Sequence, residues 1–288
     1  MGTGSNALYH LSRSIKMPNV PIRIFNIAST QVDREEVRKW LDFIGAEGYE
    51  IPEDGAVTNP ALLIALAGRR CYKSFVPGLN PNVTKIRKDM ADYIDNILAS
   101  GHGSVLEHSV YTFAIENVSR VFTGEMNRHR AGWAISEGSM RYIRFTDIDW
   151  WMPTSLQDSP DDSVELRLRK QQSRDIFTAA FKMQSQAYSS LLEVWDIPEG
   201  HHDFHYKKVV TSCLRRIVGM GVATGGIWTG NIRAIRHVIT MRADSAAEEE
   251  IFYVFSNILK MMAEKEPMLF GDFKQNESGS WVPEYRKV

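Results

Sequence analysis

Apolar residues follow two different rhythms along this chain. Ile22, Ile24, Phe25 and Ile27 crowd one short run, which predicts a first strand. From Asp33 to Phe43 the period lengthens to that of a short helix, and residues 44–58, rich in Gly, Pro and acids, read as a loop. Ile86, Met90, Tyr93, Ile94, Ile97 and Leu98 recur every three or four residues, one face of a helix starting near Thr84. Gly101 supplies its stop. Between Ser109 and Ile115 the pattern alternates, so Tyr111, Phe113 and Ile115 share one side of a strand. Ser119 suits the N-cap of a helix carrying Arg128 to Arg130 near its end. A long helix follows Ser163, with Phe177, Ala180, Phe181, Ala187, Tyr188, Leu191 and Trp195 as its apolar stripe. A last helix begins at Ser245, where Glu248 completes a capping box and Ile251, Phe252, Phe255, Ile258 and Leu259 line the buried face. Helices outnumber strands and the order is mixed. The prediction is an α/β (α+β) protein, a mixed sheet with surrounding helices.

Residues 1–20 are polar and without period, and are expected to form a flexible arm ahead of a single domain over residues 21–288. A chain of 288 residues with 43% hydrophobic content can bury a sizeable core. Its formal net charge of -1 argues against a dedicated nucleic-acid binder but leaves room for a local basic pocket around a small anion. Cys71 and Cys213 are too few for a disulfide framework, which favours a reducing interior. No apolar run approaches the ~20 residues of a membrane helix, and the N-terminus lacks the apolar core of a signal peptide. The expectation is a cytoplasmic protein with no membrane or nucleic-acid partner.

The chemistry-bearing residues concentrate in two stretches. One reads Gly101-His102-Gly103-Ser104-Val105-Leu106-Glu107-His108. The other, Arg128 to Tyr142, holds Arg128, His129, Arg130, Ser136, Glu137, Ser139 and Arg141. Arginines grip phosphate and carbonyl oxygens with paired hydrogen bonds, and several in one short loop repel unless an anion or carboxylate compensates. Glu137 is a local compensator and an acceptor for a ligand hydroxyl; Ser136 and Ser139 are compact donors. The loop suits a phosphorylated ligand, and a solvated charged turn is the competing reading. The glycines from Gly219 to Gly230 lack the lysine of a phosphate loop. His201, His202, Asp203 and His205 have metal-ligand chemistry but lie in a polar loop, where solvated histidines are commoner, so no metal is expected. Cys71 sits beside Arg69 and Arg70, which favour a thiolate, yet a structural role or one beside a cofactor is the stronger reading. For Trp150 and Trp151, packing is the default over lining a pocket.

The order Arg-His-Arg, then Ser-Glu-x-Ser-x-Arg-Tyr, resembles the signature of flavin-dependent thymidylate synthases. The upstream His-x-Ser-x-x-Glu-His segment resembles the same family's preceding element. Trp228-Thr229-Gly230-Asn231-Ile232-Arg233 and Met241-Arg242-Ala243-Asp244 give a third match. The three matches fall in family order across roughly residues 60 to 260. The resemblance implies a single catalytic domain and a homotetramer with active sites formed between subunits. It implies FAD as cofactor, with NADPH and methylenetetrahydrofolate as co-substrates. Reduced flavin would mediate C5-methylation of a uracil nucleotide, deoxyuridine monophosphate (dUMP) to dTMP, with no cysteine attacking the pyrimidine. Ser104, Arg128, His129, Arg130, Glu137, Asn231, Arg233, His237 and Arg242 match positions that hold flavin or line its pocket. Glu125, Ser139, Arg141, Arg216 and Arg242 match positions at the nucleotide, with Arg215 the alternative to Arg216. Arg242, facing the uracil ring, and Ser139 are the implied catalytic residues.

Departures from the family pattern cluster around the ligands. The Arg128–Tyr142 segment is one residue longer than usual, with Trp133 near the insertion. Ala134 replaces a serine, Ser136 an asparagine, Glu125 a glutamine and Ala246 a histidine; His237 stands at a position often held by asparagine, and Met220 near a usual proline. A carboxylate at position 125 is unfavourable beside a phosphate unless turned away or paired. These changes point to an altered substrate, such as uridine monophosphate (UMP), or to a hydroxymethyl product. A non-catalytic nucleotide-binding relative is the reading from another class.

Overall fold

The structure is a computed structural model that describes residues 20–143, 149–198 and 200–288, so the expected N-terminal arm lies almost wholly outside the described residues. The elements run β1 (Arg23–Ser29), α1 (Arg34–Phe43), α2 (Asn59–Tyr72), α3 (Met90–Ala99), β2 (Val110–Ser119), α4 (Arg120–Met126) and β3 (Trp133–Glu137). They continue with α5 (Val164–Val194), α6 (Phe204–Leu214), β4 (Ala223–Asn231), α7 (Ile232–Arg242), α8 (Glu249–Lys265), α9 (Pro267–Phe270), β5 (Phe273–Gln275) and β6 (Trp281–Pro283). Helix and sheet are mixed, as the pattern predicted. The main sheet has the order β1-β2-β4-β3, and the pairs β1–β2 and β3–β4 are antiparallel. Among the described residues no helix is long and apolar enough to cross a membrane. Both cysteines are free.

The chain divides into two compact units. The larger comprises Ile22–Gly138 and Thr224–Val288. In it the alternation of β2 buries Tyr111, Phe113 and Ile115, as predicted. Helix α2 has no counterpart in the sequence reading. Pro60, Ala61, Leu62, Ile64, Ala65, Leu66, Gly68 and Arg69 are all buried, so it is apolar on nearly every side and shows no one-faced period. Helix α3 begins at Met90 rather than near Thr84, because Asp89 takes the cap and accepts from the Asp92 backbone N–H at 2.9 Å. Helix α8 likewise begins after Glu248, whose carboxylate accepts from the backbone N–H groups of Glu250 and Ile251. The expected cap, Ser245, instead gives its backbone N–H to Ser280 Oγ at 2.9 Å.

Charges inside this unit are compensated. Arg236, 0% exposed, makes a two-pronged ion pair with Asp272 at 2.7 and 2.8 Å. Glu250 accepts from both the backbone and hydroxyl of Ser119, and that same hydroxyl caps α4 by accepting from Val121 and Phe122. The predicted cap is therefore real, and Glu250 on α8 fixes it.

Among the described residues the smaller unit comprises Val20, Pro21 and the segment from Ser139 to Ala223. Its core gathers Met140, Trp150, Met152, Phe181, Tyr188, Leu192, Ile197, Val210, Leu214 and Val222. Trp150 stacks on Phe181 at 4.7 Å, so packing is its role. Helix α5 is capped by Ser163 as expected, but its buried track is Phe181, Ser185, Tyr188 and Leu192. Phe177 and Trp195, predicted on the stripe, are 42% and 46% exposed. They lie one turn beyond either end of the track, past the reach of this unit's core.

Candidate active site

Helix α4 stops at Met126, so Arg128 to Arg130 lie in the turn after it rather than on it. The turn delivers Arg128 and His129 toward the last turn of α7. Glu125, on the last turn of α4, pairs with Arg242 Nη1 at 2.8 Å and with Arg128 Nη1 at 3.3 Å. The carboxylate that was unfavourable beside a phosphate is thus paired with two arginines. Arg242 Nε donates to His129 Nε2 at 2.8 Å, and His129 meets the His237 ring edge-on at 6.4 Å. Burial pushes the His129 pKa down, and the charges of Arg242, His237 and Arg128 push it the same way, with Glu125 opposing. His129 is therefore held neutral as an acceptor, and Arg242 is oriented by two acceptors of different charge.

A second cluster forms where β4 runs into α7. Asn231 caps α7, its side-chain oxygen accepting from the Ala234 backbone N–H at 2.8 Å. Arg233, two residues on in the first turn of α7, pairs with Glu107 at 2.6 Å. Glu107, Ala131, Gly132, Asn231, Arg233, Ala234 and His237 line a cavity of about 220 Å³. Gly132 has φ +75, and a Cβ there would sit 2.7 Å from both the Ala234 Cβ and Asn231 Nδ2. Only glycine lets the turn pass this close to the helix cap. Gly103 packs on the Arg233 guanidinium, which brings the Ser104 segment to the same helix terminus.

Residues 133–137, read as part of one continuous loop, form strand β3 paired with β4, Trp133 opposite Gly230 and Glu137 opposite Gly226. Alternation then separates the residues of this segment. Trp133, Ile135 and Glu137 take the partly buried face, while Ala134 and Ser136 take the exposed one. Two of the departures therefore point away from Glu137. Glu137 Oε1 pairs with Arg120 Nη1 at 2.9 Å, and Arg120 also donates to the Gly138 carbonyl. Arg130 and Glu137 line a second cavity of about 360 Å³ with Asn127, Trp133 and Ile135.

Ser139, Arg141 and Arg216 belong to the smaller unit. Ser139 closes a turn by accepting from the backbone N–H groups of Tyr142 and Ile143 at 3.0 Å each. The Arg141 carbonyl accepts from Thr211 Oγ1 at 2.8 Å. Arg216 caps the end of α6, donating to the Ser212 carbonyl at 2.9 Å. Asp203 caps the start of α6 through the Tyr206 backbone N–H, and His202 rests on the Tyr206 ring at 4.3 Å. Among the described residues no group of three or more metal-ligating side chains converges.

The sequence reading singled out Glu125, Arg128, His129, His237 and Arg242, and the larger unit brings them together. It omitted Glu107 and Arg120 from the site, the partners that hold Arg233 and Glu137. Glu107 stood in a quoted motif and carries the charge Arg233 needs, which was a usable signal. Nothing local ties Arg120 to Glu137, seventeen residues on.

Arg128, Arg130, Arg233 and Arg242, with His129, His237 and the capped start of α7, give this α+β protein a basic cluster whose donors suit an anionic group. Residues 56–268 match the thymidylate synthase complementing protein family, and the chain belongs to it. The flavin-dependent thymidylate synthase of Mycobacteroides abscessus is 32% identical over 254 residues, covering 88% of this chain and 90% of that protein. Those of Corynebacterium diphtheriae and Mycolicibacterium gilvum are each 30% identical, covering 81% and 88% of this chain and 86% and 90% of theirs.

Proposed function

We propose that this chain methylates carbon 5 of a uracil nucleotide, converting dUMP to dTMP. It is a methyltransferase of the flavin-dependent thymidylate synthase type, with FAD as cofactor and NADPH and methylenetetrahydrofolate as co-substrates. The carrying observation is Arg242, half-buried and fixed between Glu125 and neutral His129. A cation fixed against a pyrimidine stabilises the negative charge that builds on the ring as carbon 5 attacks an electrophile.

The residues around the 220 Å³ cavity suit a flavin. Arg233, Asn231 and His237 offer donors to phosphate and ring oxygens, and Gly132 allows close approach of the backbone. When bound, the flavin supplies the redox chemistry that couples NADPH oxidation to methyl formation. Ser104, Arg128, His129, Arg130 and Glu137 would complete its binding set, while Ser139, Arg141 and Arg216 would hold the nucleotide. The cavity is smaller than the ~300–1,000 Å³ usual for organic ligands. That suits a site completed by a neighbouring subunit, as in the homotetramer that the family resemblance implies. Residues 21–288 would then act as one catalytic domain with the fold of flavin-dependent thymidylate synthases, in the cytoplasm.

The test is spectroscopic and chemical. Purified protein should show bound-flavin absorbance, and turnover with NADPH and methylenetetrahydrofolate should yield a C5-methylated nucleotide. A colourless protein that takes up no flavin on titration refutes the proposal.

A further inference from the structure

Arg69, in the last turn of α2, is a cation that the catalytic reading leaves unused. It is 1% exposed, and among the described residues it forms no ion pair. Nη1 donates to the Ser74 carbonyl at 3.0 Å and Nη2 to the Arg87 carbonyl at 2.7 Å, while Nε is buried without a partner. The guanidinium lies over the Tyr93 ring at 4.1 Å and the Tyr49 ring at 5.2 Å. Carbonyls and ring faces offset only part of the cost of burying a charge, and an anion would offset more.

Arg69 lines a cavity of about 300 Å³ together with Lys85 and Arg87, and no carboxylate lines it. Lys85 and Arg87 are exposed and likewise form no ion pair among the described residues. Glu50 lines a neighbouring cavity with Arg69 and Lys88 and pairs with neither. The three cations thus stand at different depths, one buried and two at the rim. A compact phosphate is gripped by donors that converge on one point, whereas spread cations suit a chain that carries several carboxylates. The cavity also adjoins the candidate active site. His102 and Tyr72 meet edge-on at 5.8 Å in its wall. The next residue, Gly103, packs on Arg233, which lines the 220 Å³ cavity.

We infer that Arg69, Lys85 and Arg87 form a docking cavity for the γ-linked glutamyl tail of the folate, so that the carbon donor binds more tightly as its tail lengthens. This rests on the reading that methylenetetrahydrofolate is the co-substrate. The phosphates of NADPH and of the nucleotide are the other anions in the reaction, and the experiment separates them from the tail.

Flavin-loaded wild type, Lys85→Ala, Arg87→Ala and the double variant are titrated by calorimetry with tetrahydrofolate carrying one glutamate or a chain of several, with NADP+ and with dUMP, and assayed for turnover. Both side chains are exposed, so the variants fold as wild type does. Wild type binds the long-tailed folate more tightly than the short-tailed one, and the advantage shrinks at high salt. Each single variant cuts that advantage about two- to fivefold, the scale of one exposed ion pair. The double variant removes it and leaves kcat unchanged. Wild type that turns over both folates with no tail-length advantage overturns the inference alone, as does an advantage undiminished in the double variant. A loss confined to NADP+ or dUMP also overturns it, by assigning the cations to a phosphate. Wild type that turns over neither folate overturns it together with the functional reading.

Discussion

Glu250 ties the scaffold to the site, and its charge state makes that tie measurable. The residue is 1% exposed and accepts from the Ser119 backbone and hydroxyl, fixing the cap of the helix that presents Glu125. Burial pushes its carboxyl up to about 7 from 4.5, with the Ser119 hydrogen bonds acting in the opposite direction. A folded-state pKa raised above the unfolded value means that the folded chain holds the proton more tightly. The stabilisation is full below pH 4.5, falls as pH rises toward 7, and is flat above. At about 1.4 kcal/mol per pH unit, the interval is worth about 3 kcal/mol. Glu250→Gln carries no titrating group, so its stability relative to wild type should improve by about that amount between pH 4.5 and pH 8. Urea unfolding of both proteins across this range measures the difference, and other titrating groups cancel in it. A wild-type-minus-variant difference that stays level with pH would show that Glu250 is not a buried, neutral-preferring acid.

Substitutions at two further positions probe the site. Glu125→Gln removes the charge shared by Arg242 and Arg128; with Arg242 only 18% exposed in its side chain, the loss should be about 1–2 kcal/mol at low salt and smaller at high salt. Thermal melts at two ionic strengths check this, and a salt-independent loss or a gain in stability contradicts the pairing. Asn231→Ala should cost about 1 kcal/mol by uncapping α7, whereas Asn231→Ser keeps a capping oxygen and most of that stability. If flavin affinity, followed by fluorescence, falls in both variants while only the alanine form melts early, the amide contacts the flavin; an alanine variant that melts with wild type removes the capping role.

How much of the molecule was legible depended on how local the determining force was. Strands β1 and β2, helix α1 and the Ser119 and Ser163 caps follow from period and a single capping residue, so neighbours in sequence suffice. Helix α2 was hidden because burial on nearly every side erases the period that reveals a helix. Strand β3 was hidden because its pairing partner is β4, over eighty residues away, and its five residues read as loop chemistry.

The site divides along the same line. The sequence by itself determined which residue types were present and in what order: arginines, histidines, a glutamate and serines spaced as in a known family. Only the tertiary structure decided their partners. It paired Glu125 with Arg242, Glu107 with Arg233 and Arg120 with Glu137, and it put Ala134 and Ser136 on the strand face opposite Glu137. Ion pairs and strand faces are set by contacts between segments distant in the chain. A carboxylate that seems misplaced beside a phosphate in the sequence is, once folded, the group that holds the key arginine.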